Sequence, residues 1–155
     1  MNAAMASRAG LPARRRVAGF TLMEVMIVVI IVAILAGIGL PLYQDAMRKA
    51  RRADARESLM EAASRQEQYM LDRSTYTADM RDLGYDADPM ISEEKHYSID
   101  RVATDDCAID SQTCYVLQAT PLDTSPQSED KRCETFTLES TGAQAATGSD
   151  AENCW

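Results

Sequence analysis

The stretch that decides the fold is GFTLMEVMIVVIIVAILAGIGLP, which runs from Gly19 to Pro41. Its inner part, from Val25 to Leu40, contains sixteen consecutive residues without a polar side chain. Continued to Gln44, the segment after Glu24 has twenty positions without a charge. A helix of that length rises roughly 30 Å, which is the thickness of the hydrocarbon core of a bilayer. The stretch therefore predicts a membrane-spanning helix.

Two other kinds of segment produce apolar runs. A secretory signal peptide has an apolar region of about 7–15 residues, followed by a cleavage site between small residues. A buried core helix of a soluble protein rarely needs so long an uninterrupted run. The length of this run favours the membrane-spanning helix over both alternatives.

Charge is distributed unevenly over the 155 residues, of which 16 are Lys or Arg and 24 are Asp or Glu. Residues 1–19 contain four arginines and no acid, whereas residues 85–155 contain 15 acidic and four basic side chains. With a net charge of −8 and an acidic C-terminal part, the chain repels phosphate, so we expect no nucleic-acid binding through net charge. The same segregation of charge argues against a freely soluble enzyme.

The four cysteines all lie late in the chain, at Cys107, Cys114, Cys133 and Cys154. None belongs to a CxxC pair and His96 is the only histidine, so their spacing does not predict a zinc site. Four cysteines behind a membrane anchor are typical of two disulfides in an oxidising compartment, and free thiols in a cytosolic domain are the alternative. Of the three possible pairings we favour Cys107–Cys114 and Cys133–Cys154, because nearest-neighbour pairing closes two separate loops.

Basic residues flank the apolar segment on both sides. Four arginines precede it and five basic residues follow it, between Arg48 and Arg56. The positive-inside rule alone therefore leaves the orientation of the span undecided. The cysteines favour the orientation in which the C-terminal part lies outside the cytoplasm.

The remainder of the chain predicts an α+β fold, with one long helix packed on a small antiparallel sheet. Residues 45–72 keep a helical pattern without Gly or Pro, so we expect the helix to continue to Asp72. Residues 73–95 are predicted as a loop with a brief helix capped by Thr77. Strands are predicted at 96–102, 114–120 and 134–139, with a weaker one near 143–146. The helix is expected to pack through an apolar stripe of Leu42, Ala46, Ala50, Ala53, Leu59, Met60, Ala62, Ala63, Tyr69 and Met70.

Sequence patterns of catalysis are missing from the chain. It has no GxSxG, no glycine-rich phosphate loop and no HExxH. We therefore expect no enzyme activity, no cofactor and no metal, and a calcium site within Asp100–Asp110 would lack the EF-hand spacing. The late acidic residues are interpreted as a solvated surface, with Tyr115, Phe136 and Trp155 in the core of the sheet.

Glu24 stands out because a carboxylate inside an apolar run costs about 3 kcal/mol at a helix centre, and less near its edge. Combined with the arginine-rich leader, the Gly19-Phe20 junction and Pro41, it resembles the class III signal of type IV pilins and pseudopilins. The segment 69–85 and the ending from Cys133 to Trp155 are similar to type IVa pilins, most closely to the PilE-like minor pilins.

This resemblance implies the type IV pilin fold and three regions. Residues 1–19 would be a leader that prepilin peptidase, which is also the N-methyltransferase, removes by cutting between Gly19 and Phe20 before it methylates Phe20. Residues 20–44 would be the transmembrane and assembly half of the helix, and 45–155 the periplasmic head, with helix at 45–72, loop at 73–95 and sheet at 96–155. Glu24 would pair with the N-terminal amine of a neighbouring subunit, and the helix near Pro41 would lose regularity in the fibre.

The implied function is that of a structural subunit of a type IV pilus, minor rather than major, which supports pilus biogenesis, twitching motility and adhesion. Its partners would be prepilin peptidase, the inner-membrane assembly platform, inner-membrane lipid, and other major and minor pilins. The head would lie in the periplasm and then on the cell-surface fibre. The basic cluster Arg48–Arg56 is interpreted as contacting lipid head groups or acidic heads of neighbouring subunits.

Two alternative functions stay open. A type II secretion pseudopilin shares the N-terminal motif, but its head is commonly stabilised by calcium without disulfides, so the cysteines argue against it. A DNA-uptake receptor pilin needs a basic surface. Removal of the leader changes the net charge from −8 by four further units to −12, which makes nucleic acid an unlikely partner.

Overall fold

The computed structural model describes residues 19–155, so the predicted leader, apart from Gly19, lies outside the described residues. Helix α1 spans Leu22–Arg73, one residue beyond the predicted end, and it continues through Pro41. Thr21 caps its start, because the Thr21 Oγ1 accepts a hydrogen bond of 3.2 Å from the backbone N–H of Glu24. The chain forms two compact units that are divided between Leu40 and Pro41.

The second unit contains a five-stranded antiparallel sheet, in which each strand pairs with the next one along the chain. The strands are β1 (Met90–Ile91), β2 (Tyr97–Arg101), β3 (Val116–Pro121), β4 (Phe136–Glu139) and β5 (Gln144–Ala146). Three 3₁₀ turns accompany them, at Met80–Leu83, Pro126–Glu129 and Ala151–Asn153. Strand β1 lies inside the predicted loop 73–95, because a strand of two residues is too short to produce the alternation that identifies strands.

The brief helix predicted after Thr77 is the turn Met80–Leu83, and its cap differs from the prediction. Asp79 is the N-cap, since its carboxylate accepts a hydrogen bond from the N–H of Arg81 at 2.9 Å. Thr77 lies two residues before Asp79, and its Oγ1 accepts a hydrogen bond of 3.1 Å from the backbone N–H of Asp79. Gly84 ends the turn in the left-handed conformation, with φ of 86°.

The core of the second unit forms between α1 and the sheet. Its largest fully buried apolar side chains are Tyr97, Phe136, Leu59, Met80, Ile99 and Leu117. The ring of Phe136 meets Tyr97 and Trp155 edge-on, with ring centres 5.9 Å apart in both pairs. The expectation that Tyr115, Phe136 and Trp155 belong to this core is confirmed, since the first two are buried and the third packs partly buried against them.

The buried face of α1 differs from the predicted apolar stripe. Leu59 and Ala62 are fully buried, but Met60 is 51% exposed, and Ala46 and Ala50 are also exposed. The residues of α1 that are buried are Arg52, Asp54, Ala55, Ser58, Leu59, Ala62 and Gln66. More than half of this face is polar, so hydrophobic periodicity could not locate it.

Two disulfides, Cys107–Cys114 and Cys133–Cys154, close separate loops. The first bridges the connection between β2 and β3, and the second joins the start of β4 to the C-terminus. Arg101 is 3% exposed behind the first loop, where its guanidinium donates to backbone carbonyls of that loop, including that of Cys114 at 2.7 Å. The loop is thus held by a covalent bridge and by a buried cation.

Gly148 should be required for the closure of the C-terminal loop. It has φ of +120°, and a Cβ at this position would contact the carbonyl oxygen of Arg132 and lie 2.7 Å from its carbonyl carbon. We expect Gly148→Ala to lower the free energy of unfolding by about 2–4 kcal/mol, because it adds a backbone clash to strain.

Gly142→Ala is the matched control. Gly142 has a similarly positive φ of +84°, but a Cβ there would meet nothing within 4 Å. Gly142→Ala should therefore lower the free energy of unfolding by only about 1 kcal/mol. Urea denaturation of the full chain in detergent, monitored by near-ultraviolet circular dichroism, compares the two variants. Equal losses would show that the contact with Arg132 is unimportant.

Candidate assembly site

The start of α1 presents three exposed residues of the predicted site. Gly19 and Phe20 precede the helix, and the Phe20 side chain is 83% exposed. Glu24 lies in the first turn, where the helix dipole stabilises a negative charge. Within residues 19–155, its carboxylate has no ion-pair partner and stays exposed. It is therefore accessible to a cation that another molecule supplies.

The first part of α1 is an apolar surface without cover. Between Leu22 and Leu42 every large apolar side chain is about half exposed or more, with Ile27 the lowest at 48%. Among the described residues, α1 is the one helix long and apolar enough to cross a membrane, on length and composition. A continuous apolar surface of this size is unfavourable in water, so lipid or apolar helices of other chains must cover it.

In the head, a buried ion pair connects α1 to the chain before Cys133. The Arg52 guanidinium donates from Nε and Nη2 to the two oxygens of Asp130, at 2.7 and 2.9 Å. The side chains are 7% and 1% exposed, and the Gln127 amide donates to the same carboxylate at 2.8 Å. Burial acts to raise the pKa of Asp130, but the hydrogen bonds and positive charge of Arg52 outweigh it and hold that pKa below its usual value.

A second polar contact joins α1 to the turn between β1 and β2. The Asp54 carboxylate accepts hydrogen bonds from the Ser92 hydroxyl at 2.6 Å and from the N–H of Glu94 at 3.3 Å. The Ser92 Oγ in turn accepts the backbone N–H groups of His96 and Tyr97, at 3.1 and 3.0 Å. Asp54 therefore fixes this turn against the helix.

The loop after α1 is held by two consecutive residues of the helix. Gln66 is fully buried and exchanges two hydrogen bonds with the backbone of Thr77, at 2.7 and 3.2 Å. Arg65 donates to the carbonyl oxygen of Leu83 at 2.9 Å and lies over the ring of Tyr85, 4.3 Å from its centre. Burial raises the pKa of Tyr85 to about 12.

The Glu67 carboxylate accepts hydrogen bonds from two tyrosine hydroxyls. Tyr115 donates to its carboxylate at 3.1 Å and Tyr76 at 3.2 Å, and the two rings meet edge-on with centres 4.8 Å apart. Burial, followed by the charge of Glu67, raises the pKa of both tyrosines. Both hydroxyls therefore remain neutral donors at physiological pH.

The basic cluster Arg48–Arg56, which is predicted to contact lipid head groups or acidic heads of neighbouring subunits, does not lie wholly on the surface. Arg52 is buried and faces the interior of the head, as described above. Arg48 lies 3.7 and 3.8 Å from the carboxylates of Asp45 and Glu129. Three cations of the cluster have no ion pair within residues 19–155: Lys49, Arg51 and Arg56.

The sequence predicted the apolar start of α1 and the pairing of the cysteines. It did not predict the polar contacts between α1 and the rest of the head. Pro41 lies inside α1, at the first residue of the second unit. Arg52 and Asp130 are separated by 78 residues, and such a pair leaves no local pattern. One signal was present in the sequence. A helix with one buried face and many polar residues must either expose those residues or pair them with partners elsewhere in the chain.

Two family descriptions match the sequence. Residues 14–40 match the prokaryotic N-terminal methylation motif. Residues 41–137 match the family described as "Type IV minor pilin ComP, DNA uptake sequence receptor". This second match covers more than half of the chain and extends from the start of the second unit into β4.

Individual relatives are similar over shorter lengths. The chain is 67% identical over 33 residues to the fimbrial protein EcpB of Eikenella corrodens, which is 21% of either chain. It is 36% identical over 69 residues to the type IV wide pilus major component PilA4 of Thermus thermophilus, which is 44% of this chain and 53% of that protein. The chain therefore spans between about a fifth and about half of the length of these relatives.

A solved structure supports the fold. The non-core minor pilin PilV of Neisseria meningitidis superimposes with a TM-score of 0.51 at 25% identity, over 68% of this chain and 91% of PilV. The predicted fold class, α+β with the type IV pilin fold, is confirmed. Pilins are structural proteins, which agrees with the absence of catalytic patterns in the sequence.

Arg52→Met should destabilise the head strongly. It leaves the buried carboxylate of Asp130 without its countercharge, and removing one partner of a buried pair costs about 3–5 kcal/mol. Arg81→Met is the control, because the Arg81–Asp79 pair of 2.8 Å is exposed to solvent and should contribute little to stability. Urea denaturation of the full chain in detergent measures both, and equal effects would contradict the role of the buried pair.

The same pair predicts the pH dependence of stability. Because the pKa of Asp130 is lowered in the folded state, its contribution is complete above the unfolded value of about 3.9 and is lost as pH falls through the folded value. Below about pH 4, the wild type should therefore lose more stability than Asp130→Asn does. Urea denaturation at a series of pH values measures the free energy of unfolding of both proteins. If it falls equally steeply with pH in the wild type and in Asp130→Asn, the prediction is contradicted.

Proposed function

The chain belongs to the type IV minor pilin ComP family, and on that premise we propose that it is a minor structural subunit of a type IV pilus. The observation that carries the proposal is the uncovered apolar segment of α1, which begins directly after Gly19 and Phe20 within the N-terminal methylation motif. Lipid covers this segment before assembly, and apolar helices of other subunits cover it in the fibre. The family favours this role over that of a type II secretion pseudopilin.

In this proposal, prepilin peptidase cuts between Gly19 and Phe20 and methylates the new amine of Phe20. The mature chain waits in the inner membrane as a single-pass protein with residues 45–155 in the periplasm. The two disulfides of the head support an oxidising compartment. An inner-membrane assembly platform then moves the subunit into the fibre beside other pilins, where it serves pilus biogenesis, twitching motility and adhesion.

Glu24 is proposed to join subunits. Its exposed carboxylate lies four residues after Phe20, whose amine becomes a free cation once the leader is removed. Inside a fibre of apolar helices an unpaired charge costs several kcal/mol, so pairing Glu24 with the amine of the adjacent subunit selects one register. Pro41 lies where we propose that α1 loses regularity in the fibre.

DNA uptake is a second candidate function, because the description of the family names a DNA uptake sequence receptor. The charge of the mature chain, −12, opposes it, and so does the burial of Arg52 within the basic cluster. We expect the full chain in detergent to bind duplex DNA without sequence preference and more weakly than about 10⁻⁴ M at physiological salt. Tighter binding that depends on the DNA sequence, measured over several salt concentrations, would favour the receptor function instead.

Glu24→Ala tests the structural function. Expression, cleavage after Gly19 and the fold of the head should be unchanged, because the described contacts of the head begin more than twenty residues away. Entry into sheared fibres should fall by roughly tenfold or more, since a lost contribution of about 1.4 kcal/mol already corresponds to a factor of ten. Immunoblots of sheared fibres and N-terminal sequencing of membrane protein measure the two outcomes.

Glu24→Gln is the matched control, because it keeps the length of the side chain and its hydrogen-bonding groups but removes the charge. If the charge is what matters, both variants fail to enter fibres. Incorporation of Glu24→Ala at the wild-type level would show that the pair is dispensable for this subunit. A subunit at the tip of the fibre has no neighbour above it, so a Glu24→Ala subunit would still be accepted at the tip but not within the fibre.

A further inference from the structure

A groove lies at the start of the head, where α1 passes the turn Pro126–Glu129. It has a volume of about 240 Å³ and is lined by that turn and by about two turns of the helix. The lining residues are Tyr43, Gln44, Met47, Arg48, Arg51, Pro126 and Glu129. All of them belong to the second compact unit. The first of them along the chain directly follows the apolar part of α1, which ends with Leu42.

The turn on one side of the groove is fixed by the buried ion pair of the head. Gln127 is fully buried and donates to Asp130 at 2.8 Å, and Asp130 pairs with Arg52 of the helix. The Ser125 hydroxyl caps the turn, because it accepts the backbone N–H of Gln127 at 3.1 Å. The groove is therefore formed by the fold of the head itself.

The charged groups of the groove are not used by this fold. Arg51 is partly buried and has no hydrogen bond or ion pair within residues 19–155. Arg48 lies 3.7 and 3.8 Å from the carboxylates of Asp45 and Glu129, which is too far for a hydrogen bond. The Glu129 side chain is 77% exposed, and that distant contact is its one ion pair in the described part of the chain. Two guanidinium groups and one carboxylate therefore remain available to a ligand.

The groove lies at the level of the lipid headgroups if residues 20–44 span the membrane. The headgroup layer on either side of the hydrocarbon core is roughly 5–7 Å thick. Arg48 and Arg51 lie about 6 and 10 Å along the helix from Gln44. Helical side chains tilt toward the N-terminus, which here is the direction of the membrane, so both guanidinium groups can reach this layer. Tyr43 lies where aromatic side chains are enriched at membrane interfaces.

We propose that this groove binds the headgroup of a phospholipid in which the phosphate is joined to a primary ammonium group, as in phosphatidylethanolamine. Arg48 and Arg51 donate hydrogen bonds to the phosphate, and Glu129 accepts one from the ammonium group. A water molecule takes about 30 Å³, so the groove has room for roughly eight non-hydrogen atoms, which is the size of phosphoethanolamine. The inference rests on the proposed function, because it needs the head to lie against the membrane before assembly.

The mixture of charges in the groove favours this headgroup over other occupants. Phosphatidylglycerol has no cation, so its phosphate would lie beside Glu129 without compensation, and the net charge of −12 of the mature chain would repel it. Phosphatidylcholine has a cation, but its methylated ammonium group has no N–H to donate. An acidic side chain of another protein would meet Arg51 and leave Glu129 unpaired.

Native mass spectrometry of the full chain in detergent tests the selection of the headgroup. The chain is mixed with phosphatidylethanolamine, phosphatidylcholine and phosphatidylglycerol that have identical acyl chains and equal concentrations. Phosphatidylethanolamine should be retained at least about fivefold more than either of the others. Equal retention of the three lipids would overturn the proposal. So would displacement of the lipid by an equal concentration of soluble phosphoethanolamine, because the groove would then bind a free phosphate ester.

Two variants separate the halves of the site. Arg51→Gln should lower the retention of phosphatidylethanolamine by about fivefold, because the phosphate loses a charged donor. Glu129→Gln should instead abolish the preference for phosphatidylethanolamine over phosphatidylglycerol. Near-ultraviolet circular dichroism should be unchanged in both, since neither side chain makes a hydrogen bond within residues 19–155.

Arg56→Gln is the matched control. Arg56 is also a partly buried residue of α1 without an ion pair among the described residues, but it lies outside the groove. Its replacement should leave lipid retention unchanged. If Arg56→Gln lowers retention as much as Arg51→Gln does, the lipid is attracted by positive charge in general and the proposed site is wrong.

Failure of this inference is distinguishable from failure of the proposed function. Wild-type chain is assayed in parallel for cleavage by prepilin peptidase and for its presence in sheared fibres. If it is present in fibres but shows no preference among the three lipids, the headgroup site is wrong and the pilus function stands. If it is cleaved but absent from fibres, the proposed function itself fails.

Discussion

The ion pair between Arg52 and Asp130 sets the position of α1 in the head, and the C-terminal region depends on it. Two charges removed from water are costly unless each faces the other closely, as they do here at 2.7 and 2.9 Å. Asp130 lies three residues before Cys133, so the place where α1 is held is also the place where the second disulfide loop begins. Gln127 binds the same carboxylate and brings the turn Pro126–Glu129 into this arrangement.

The other contacts of α1 follow the same principle. Asp54, Gln66 and Glu67 each bind a different part of the head, namely the turn between β1 and β2, the loop after α1 and the start of β3. Apolar packing around Leu59 and Ala62 supplies area, but it is not directional. We interpret the polar contacts as what selects one register of the helix against the sheet, a role in which buried polar groups are known to act.

One helix therefore carries three surfaces of different chemistry. Its first part is apolar on all sides and stays uncovered, which requires lipid or other helices. Its second part has a buried polar face that belongs to the fold of the head and an exposed side that does not. This separation explains how a subunit can keep its head intact while the surroundings of its apolar segment change from membrane to fibre.

What the sequence by itself determined is the set of features that local patterns encode. The apolar run after Glu24 and the strand patterns of β2 and β4 each follow from neighbouring residues. The tertiary structure alone decided which side of α1 is buried, because the partner of Arg52 is 78 residues away and periodicity carries no information about it. It also decided the short strand β1 and the contact of Trp155 with the carbonyl of Ala145 on edge strand β5, since both depend on elements that meet only after folding.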